Sequence, residues 1–171
     1  MEETDIKTGK FGWTYGLIGG LIGIAFTLML YFMDMLTSSA QNIGVGIIGL
    51  LIWVAVMVTA IIAYKKANGG YITISKGLKI GAAVGLVCGL IGLVFSYVLY
   101  TYVTPETAAA LAEIGKEATL KAYPQMTEEQ VEQSLSFSTT IQYAASIIFP
   151  IIIGLIVGAI TGAIVQNKRP E

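Results

Sequence analysis

The chain has 171 residues, of which 55% are hydrophobic and 12% charged, and its mean hydropathy is +0.75. A soluble domain carries roughly 25% charged residues, so this chain has too little polar surface to face water and reads as one membrane domain, residues 1–171. A net charge of -1 gives nucleic-acid binding no support, the absence of histidine removes the commonest general base and metal ligand, and the single cysteine, Cys88, precludes an internal disulfide.

In chain order, Lys7 and Lys10 precede the first apolar stretch, residues 13–33. It exceeds the 7–15 apolar residues of a signal-peptide core and follows a segment of mixed charge, so it is expected to be a span despite the small residues Ser38, Ser39 and Ala40 beyond it. Three more stretches follow at 43–64, 78–102 and 141–165, and none of the four contains Asp, Glu, Lys or Arg. Each is long enough, at 1.5 Å per residue, to cross a hydrocarbon layer of about 30 Å. A lipid-exposed backbone must bond within its own segment, and no ten-residue alternation points to a barrel, so all four are expected to be helices.

Lys7, Lys10, Lys65, Lys66, Lys76, Lys79, Lys168 and Arg169 fall on one side of this layout and only Lys116 and Lys121 on the other. The positive-inside rule then places both termini and the short central loop in the cytoplasm. The remaining loop, residues 103–139, is patterned rather than slack. Thr104 followed by Pro105 reads as a helix start, with Leu111, Ile114, Ala118 and Ala122 on one side and Tyr123-Pro124 as its end. Thr127 and Gln130 form a capping box for a second helix that nothing interrupts before the fourth span. A helical hairpin over the extracytoplasmic face is expected.

The segment GLIGGLIGIAFTLMLY, residues 16–31, matches GLVCGLIGLVFSYVLY, residues 85–100, at nine of sixteen positions and an offset of 85 − 16 = 69. Both run in the same direction across the membrane, which is the pattern of a duplicated two-helix hairpin, with a coincidence between low-complexity apolar helices as the alternative. The second helices match only weakly, at 47–50 against 152–155. Glycines recur every fourth residue in three sets: Gly12, Gly16, Gly20; Gly77, Gly81, Gly85, Gly89; and Gly154, Gly158, Gly162. Such stripes let helix backbones approach closely where no hydrophobic drive acts between helices. They are expected to pack helices, either inside the protein's own bundle or against another copy.

Chemistry is sparse. Asp34 lies at a span end and reads as a solvated loop acid; Thr27, Thr59, Ser96, Ser146 and Thr161 read as hydroxyls bonded to helix backbone, and Cys88 as a small packing residue. Pro150 frees the carbonyl of Ser146 and is expected to kink the fourth span. Trp13, Tyr31, Trp53, Tyr64, Tyr97, Tyr100 and Tyr102 read mostly as an interfacial belt. Lys65, Lys66, Lys76 and Lys79 are candidate contacts for anionic lipid headgroups. Hydrolase, zinc-protease and phosphate-loop motifs are missing. No enzyme, cofactor or metal site is therefore expected.

The run Tyr64-Lys65-Lys66-Ala67-Asn68-Gly69-Gly70-Tyr71-Ile72, continuing to Gly77-Leu78-Lys79-Ile80-Gly81, together with the opening Tyr15-Gly16-Leu17-Ile18, resembles a bacterial membrane family named domain of unknown function 4199. The resemblance covers most of the chain, and its most specific part is the Lys-Lys-x-Asn-Gly-Gly-Tyr turn. It implies a bacterial inner-membrane location and supplies no catalytic residues. The expected fold is an all-α integral membrane protein, a four-transmembrane-helix bundle built as a duplicated hairpin with a short helical extracytoplasmic loop. The expected role is a non-enzymatic structural or accessory component in contact with the lipid bilayer and with a second copy or a membrane-protein partner. A small uncoupled transporter or channel for a small solute is the alternative, and an extracytoplasmic sensor a third class.

Overall fold

A computed structural model describes residues 6–168, and the side chains of 39–41, 128, 135–140 and 142 lie outside that description. Arg169 and the side chains of Ser39 and Ala40, which bear on the expectations above, therefore lie outside the described residues. The chain is all-helical: α1 (Thr8–Phe32), α2 (Leu36–Gln41), α3 (Ile43–Ala67), α4 (Ile74–Val98), a π-helical turn (Leu99–Val103), α5 (Pro105–Ala122) and α6 (Glu128–Ile164). Four segments are long and apolar enough to cross a membrane: Thr8–Phe32, Ile43–Ala67, Ile74–Val103 and Tyr143–Ile164. The protein is a multi-pass membrane protein.

Helix α4 is the centre of the bundle, with α6 antiparallel against one face, α1 parallel against another and α3 behind them. The α4–α6 seam brings backbone onto backbone. A Cβ built on Gly77 would lie 2.5 Å from the Gly158 carbonyl oxygen; one on Gly81 would collide with the Gly154 carbonyl, and one on Gly85 with that of Pro150. At the last step of the seam, a Cβ on Gly89 would lie 3.0 Å from the Ser146 oxygen, the carbonyl that Pro150 leaves without an amide partner, and 3.3 Å from the Pro150 ring. Gly162 closes the other end, where a Cβ would come within 3.2 Å of the Ile74 Cα.

The α1–α4 seam is built differently, as a groove over a ridge. Gly12, Gly16 and Gly20 of α1 receive Ala83, Val87 and Ile91 of α4, whose side chains occupy the space that Cβ atoms on α1 would need. All three glycine stripes are thus filled from within the chain.

Two apolar clusters hold the bundle at its ends. At the lysine-rich end, Met57, Ala60, Ile61, Tyr64, Ile80 and Val84 are all fully buried. This end is tied off by a two-way backbone bridge between Ile72 and Asn167 (2.9 and 3.0 Å), with the Asn167 amide also donating to the Gly70 carbonyl at 3.1 Å. The turn that makes this possible needs positive φ at Gly69 (66°) and Gly70 (87°), which glycine adopts without steric cost. At the opposite, hairpin end, Leu30, Leu36 and Leu99 form a smaller cluster.

The hairpin forms where expected, and Thr127 and Gln130 complete the reciprocal capping box. Leu111 and Ile114 of α5 are half-buried, whereas Ala118 and Ala122 on the same side stay exposed. Thr104 does not cap α5. Its fully buried hydroxyl turns back to the Leu99 carbonyl at 3.3 Å, because the π turn brings that oxygen within reach. The short helix α2 was not anticipated; it is set off from α1 by Asp34, whose φ of 55° lies in the left-handed region. Asp34→Gly is expected to raise stability by about 0.5–1 kcal/mol by relieving this conformation. Thermal denaturation in detergent checks it, and a lower melting temperature would refute the strain argument.

Candidate functional site

The two hairpins of the proposed duplication differ in one respect that creates a cavity. In the weak alignment of 47–50 with 152–155, Gly49 falls on Gly154, while Trp53 and Met57 fall where α6 has Gly158 and Gly162. Helix α6 can therefore lie backbone-to-backbone on its partner α4, and α3 cannot do so on α1. The buried residues of α3 are Val56, Met57, Ala60, Ile61 and Tyr64, all in its lysine-end half. Its other half stands away from the bundle, with Ile43 81% and Leu51 61% exposed.

Between the splayed half of α3 and the α1–α4 pair lies a half-open cavity of about 350 Å³. Its floor is formed by Gly19, Gly20 and Cys88, whose thiol donates to the Gly16 carbonyl at 3.3 Å and has the Trp53 indole beside it. Aromatic walls come from Phe26, Trp53, Phe95 and Phe149. Towards the hairpin end stand Thr27, whose hydroxyl donates to the Gly23 carbonyl at 3.0 Å, and Ser96, whose hydroxyl has no partner among the described residues. Among the described residues, no acidic or basic side chain reaches the lining.

Glycine is used here in a second way. A Cβ on Gly23, Gly46 or Gly92 would meet nothing within 4 Å, and all three line the cavity. They sit on three different helices, so no single packing stripe accounts for them. On the other side of the α1–α4 contact, an open and almost wholly apolar groove of about 480 Å³ runs along Val87, Leu90, Ile91 and Val94.

The aromatic belt is only partly as read from sequence. Trp13, Tyr97 and Tyr102 are at least half exposed, as belt residues are, but Trp53 lines the cavity and Tyr64 is fully buried. Tyr64 meets Phe11 edge-on and is covered by α1 and its leading residues, whereas sequence position alone puts it at a span end. Of the candidate lipid contacts, Lys66 and Lys79 are exposed, Lys65 is half-buried, and Lys76 stands with its ammonium 6.0 Å above the Tyr64 ring. Among the described residues, no group of three or more His, Cys, Asp or Glu comes together as a metal site would require.

The profile of a family described as "Protein of unknown function (DUF4199)" matches residues 14–167. No curated protein and no solved structure matches the chain.

Proposed function

We propose, for a chain that belongs to the DUF4199 family, a non-enzymatic role as a structural or accessory component of a bacterial inner membrane. In this reading both termini and the lysine-rich turn face the cytoplasm, and Lys65, Lys66 and Lys79 meet anionic headgroups there. The hairpin of α5 and the start of α6 is then extracytoplasmic and is the surface offered to a membrane-protein partner.

One observation carries the reading, the backbone contact along the α4–α6 seam. Glycine Cα atoms set against carbonyls leave no clearance for one helix to slide or roll on the other, whereas transport by alternating access needs packed elements with two arrangements. The cavity favours passage of a small solute as a second reading, but its lining on α3 reaches only to Trp53, beyond which Met57, Ala60, Ile61 and Tyr64 are fully buried. A further argument against an interface between copies through the glycine stripes is that all three are filled by this chain's own helices.

Native mass spectrometry of the protein extracted from bacterial membranes, paired with solute flux into reconstituted vesicles, tests the proposal. The expected outcome is a complex with another membrane protein and flux no faster than in empty vesicles. A solitary protomer that carries a neutral solute across the vesicle membrane would overturn it.

A further inference from the structure

We infer that the cavity between α1, α3 and α4 is a binding site for one uncharged, mainly hydrocarbon molecule bearing a single oxygen function, a hydroxyl or carbonyl, taken up sideways from the bilayer. The inference stands apart from the scaffold role, since a resident lipid-like molecule is compatible with it.

Three independent features lead there. The first is the unexplained volume: at Gly23, Gly46 and Gly92, all in the lining, a Cβ would meet nothing within 4 Å, so close helix contact does not account for these three glycines. A cavity of about 350 Å³ is within the usual size of small-molecule sites. The second is the chemistry of the lining. With aromatic and aliphatic walls and no charged group among the described residues, an ion or a zwitterionic headgroup would be buried without a counter-charge, which selects a neutral occupant.

The third is a hydroxyl in the lining that its own helix does not use. Three hydroxyls in these helices are used on their own backbone: Thr27 donates to Gly23 at 3.0 Å, Thr59 to Ala55 at 2.7 Å and Ser146 to Tyr143 at 2.7 Å. Ser96 has no partner among the described residues, and it alone of the hydroxyls without one lines the cavity, towards its hairpin end. A molecule lying with its oxygen at Ser96 and its hydrocarbon towards Cys88 has the orientation of a lipid in the leaflet on that side. Entry needs no opening of the bundle, because the splayed half of α3 leaves the cavity half-open.

The test uses the full chain in lipid nanodiscs and octanol carrying a diazirine as the photoreactive probe, with adducts mapped by peptide mass spectrometry. Adducts are expected to concentrate on Phe26, Phe95 and Phe149, to be competed by plain octanol and not by octanoate. Gly92→Leu and Gly46→Leu, placed where a Cβ meets open space, are each expected to keep the wild-type melting temperature and cut this labelling at least fivefold. Ser96→Ala is expected to weaken octanol competition about fivefold to tenfold, the loss of one hydrogen bond. Labelling spread evenly over lipid-facing positions such as Ile43 and Leu51, and unchanged in both leucine variants, would reduce the cavity to bulk lipid contact and overturn the inference. Equal competition by octanoate would overturn the choice of a neutral ligand. Cross-links from the cavity to a second copy in place of probe adducts would make it an interface and equally overturn it.

Discussion

Gly81→Ala is expected to destabilise the protein severely, by at least about 3 kcal/mol, while Gly23→Ala stays within about 0.5 kcal/mol of the wild type. The same methyl group is added to a membrane helix in both cases. On Gly81 it would be driven into the Gly154 carbonyl, with the Gly158 Cα only 3.2 Å away, and both obstacles are backbone that cannot rotate aside. On Gly23 it would meet nothing within 4 Å. Ordinary overpacking costs 1–3 kcal/mol because side chains can shift to relieve it. Here relief requires α4 and α6 to separate, and the dispersion contacts along Gly77, Gly81, Gly85 and Gly89 are lost together.

The seam is antiparallel and reciprocal, so Gly154→Ala, whose methyl would strike the Gly81 carbonyl, should match Gly81→Ala, and the double variant should cost less than the sum. Gly12→Ala is the intermediate case. Its methyl meets the Ala83 side chain, which a compensating Ala83→Gly would remove. Reversible unfolding by a denaturing detergent ranks the series. Equal stabilities for Gly81→Ala and Gly23→Ala would show that α4 and α6 do not meet along these glycines.

These contrasts also mark where sequence reading stops. The four spans are legible because hydrocarbon forces every backbone group into a helix, and a run free of charge has no other solution. The capping box at Thr127 is legible because it is local, two side chains serving amides within one turn. Thr104 misled for the same local reason: a threonine before Pro105 has the form of a cap, but the π turn before it, invisible in the residue pattern, offers a nearer acceptor at Leu99. The cavity was not legible at all. Gly81 and Gly92 are the same letter in the same apolar helix, and only the position of the facing helix separates contact from open space. One signal was present in the residues, namely Trp53 and Met57 standing where the repeat would have glycines, and it acquires meaning only once α4 and α6 are seen in contact.

The asymmetry between the two hairpins also explains how the protein divides its stability. Helices α4 and α6 form a rigid pair, α1 is fitted onto α4, and α3 is held chiefly by its lysine-end half. The half of α3 that flanks the cavity has few contacts to lose, so it can adjust to an occupant without disturbing the seam.

Tyr64 is the residue on which the attachment of α3 depends, and Tyr64→Ala is expected to cost about 3–5 kcal/mol, the range for deleting a buried aromatic. Its ring is fully buried, meets Phe11 of α1 edge-on with centroids 5.4 Å apart, and carries the Lys76 ammonium 6.0 Å above it. Its hydroxyl donates to the Ile6 carbonyl at 3.2 Å, tying the residues ahead of α1 to the end of α3. One side chain thus joins three segments at the end of the bundle that has no glycine seam between α1 and α3. Tyr64→Phe keeps the ring and removes the hydrogen bond, for an expected loss of about 0.5–1.5 kcal/mol. The two variants should also differ in where the protein loosens. Hydrogen exchange should quicken only around Ile6 to Phe11 in Tyr64→Phe, and additionally along Met57 to Tyr64 of α3 in Tyr64→Ala. If Tyr64→Phe is as damaging as Tyr64→Ala, the tether to Ile6 rather than ring packing holds α3, and the leading residues become part of the core. If neither variant changes α3, the helix is held by the Ile72–Asn167 bridge and its neighbours instead.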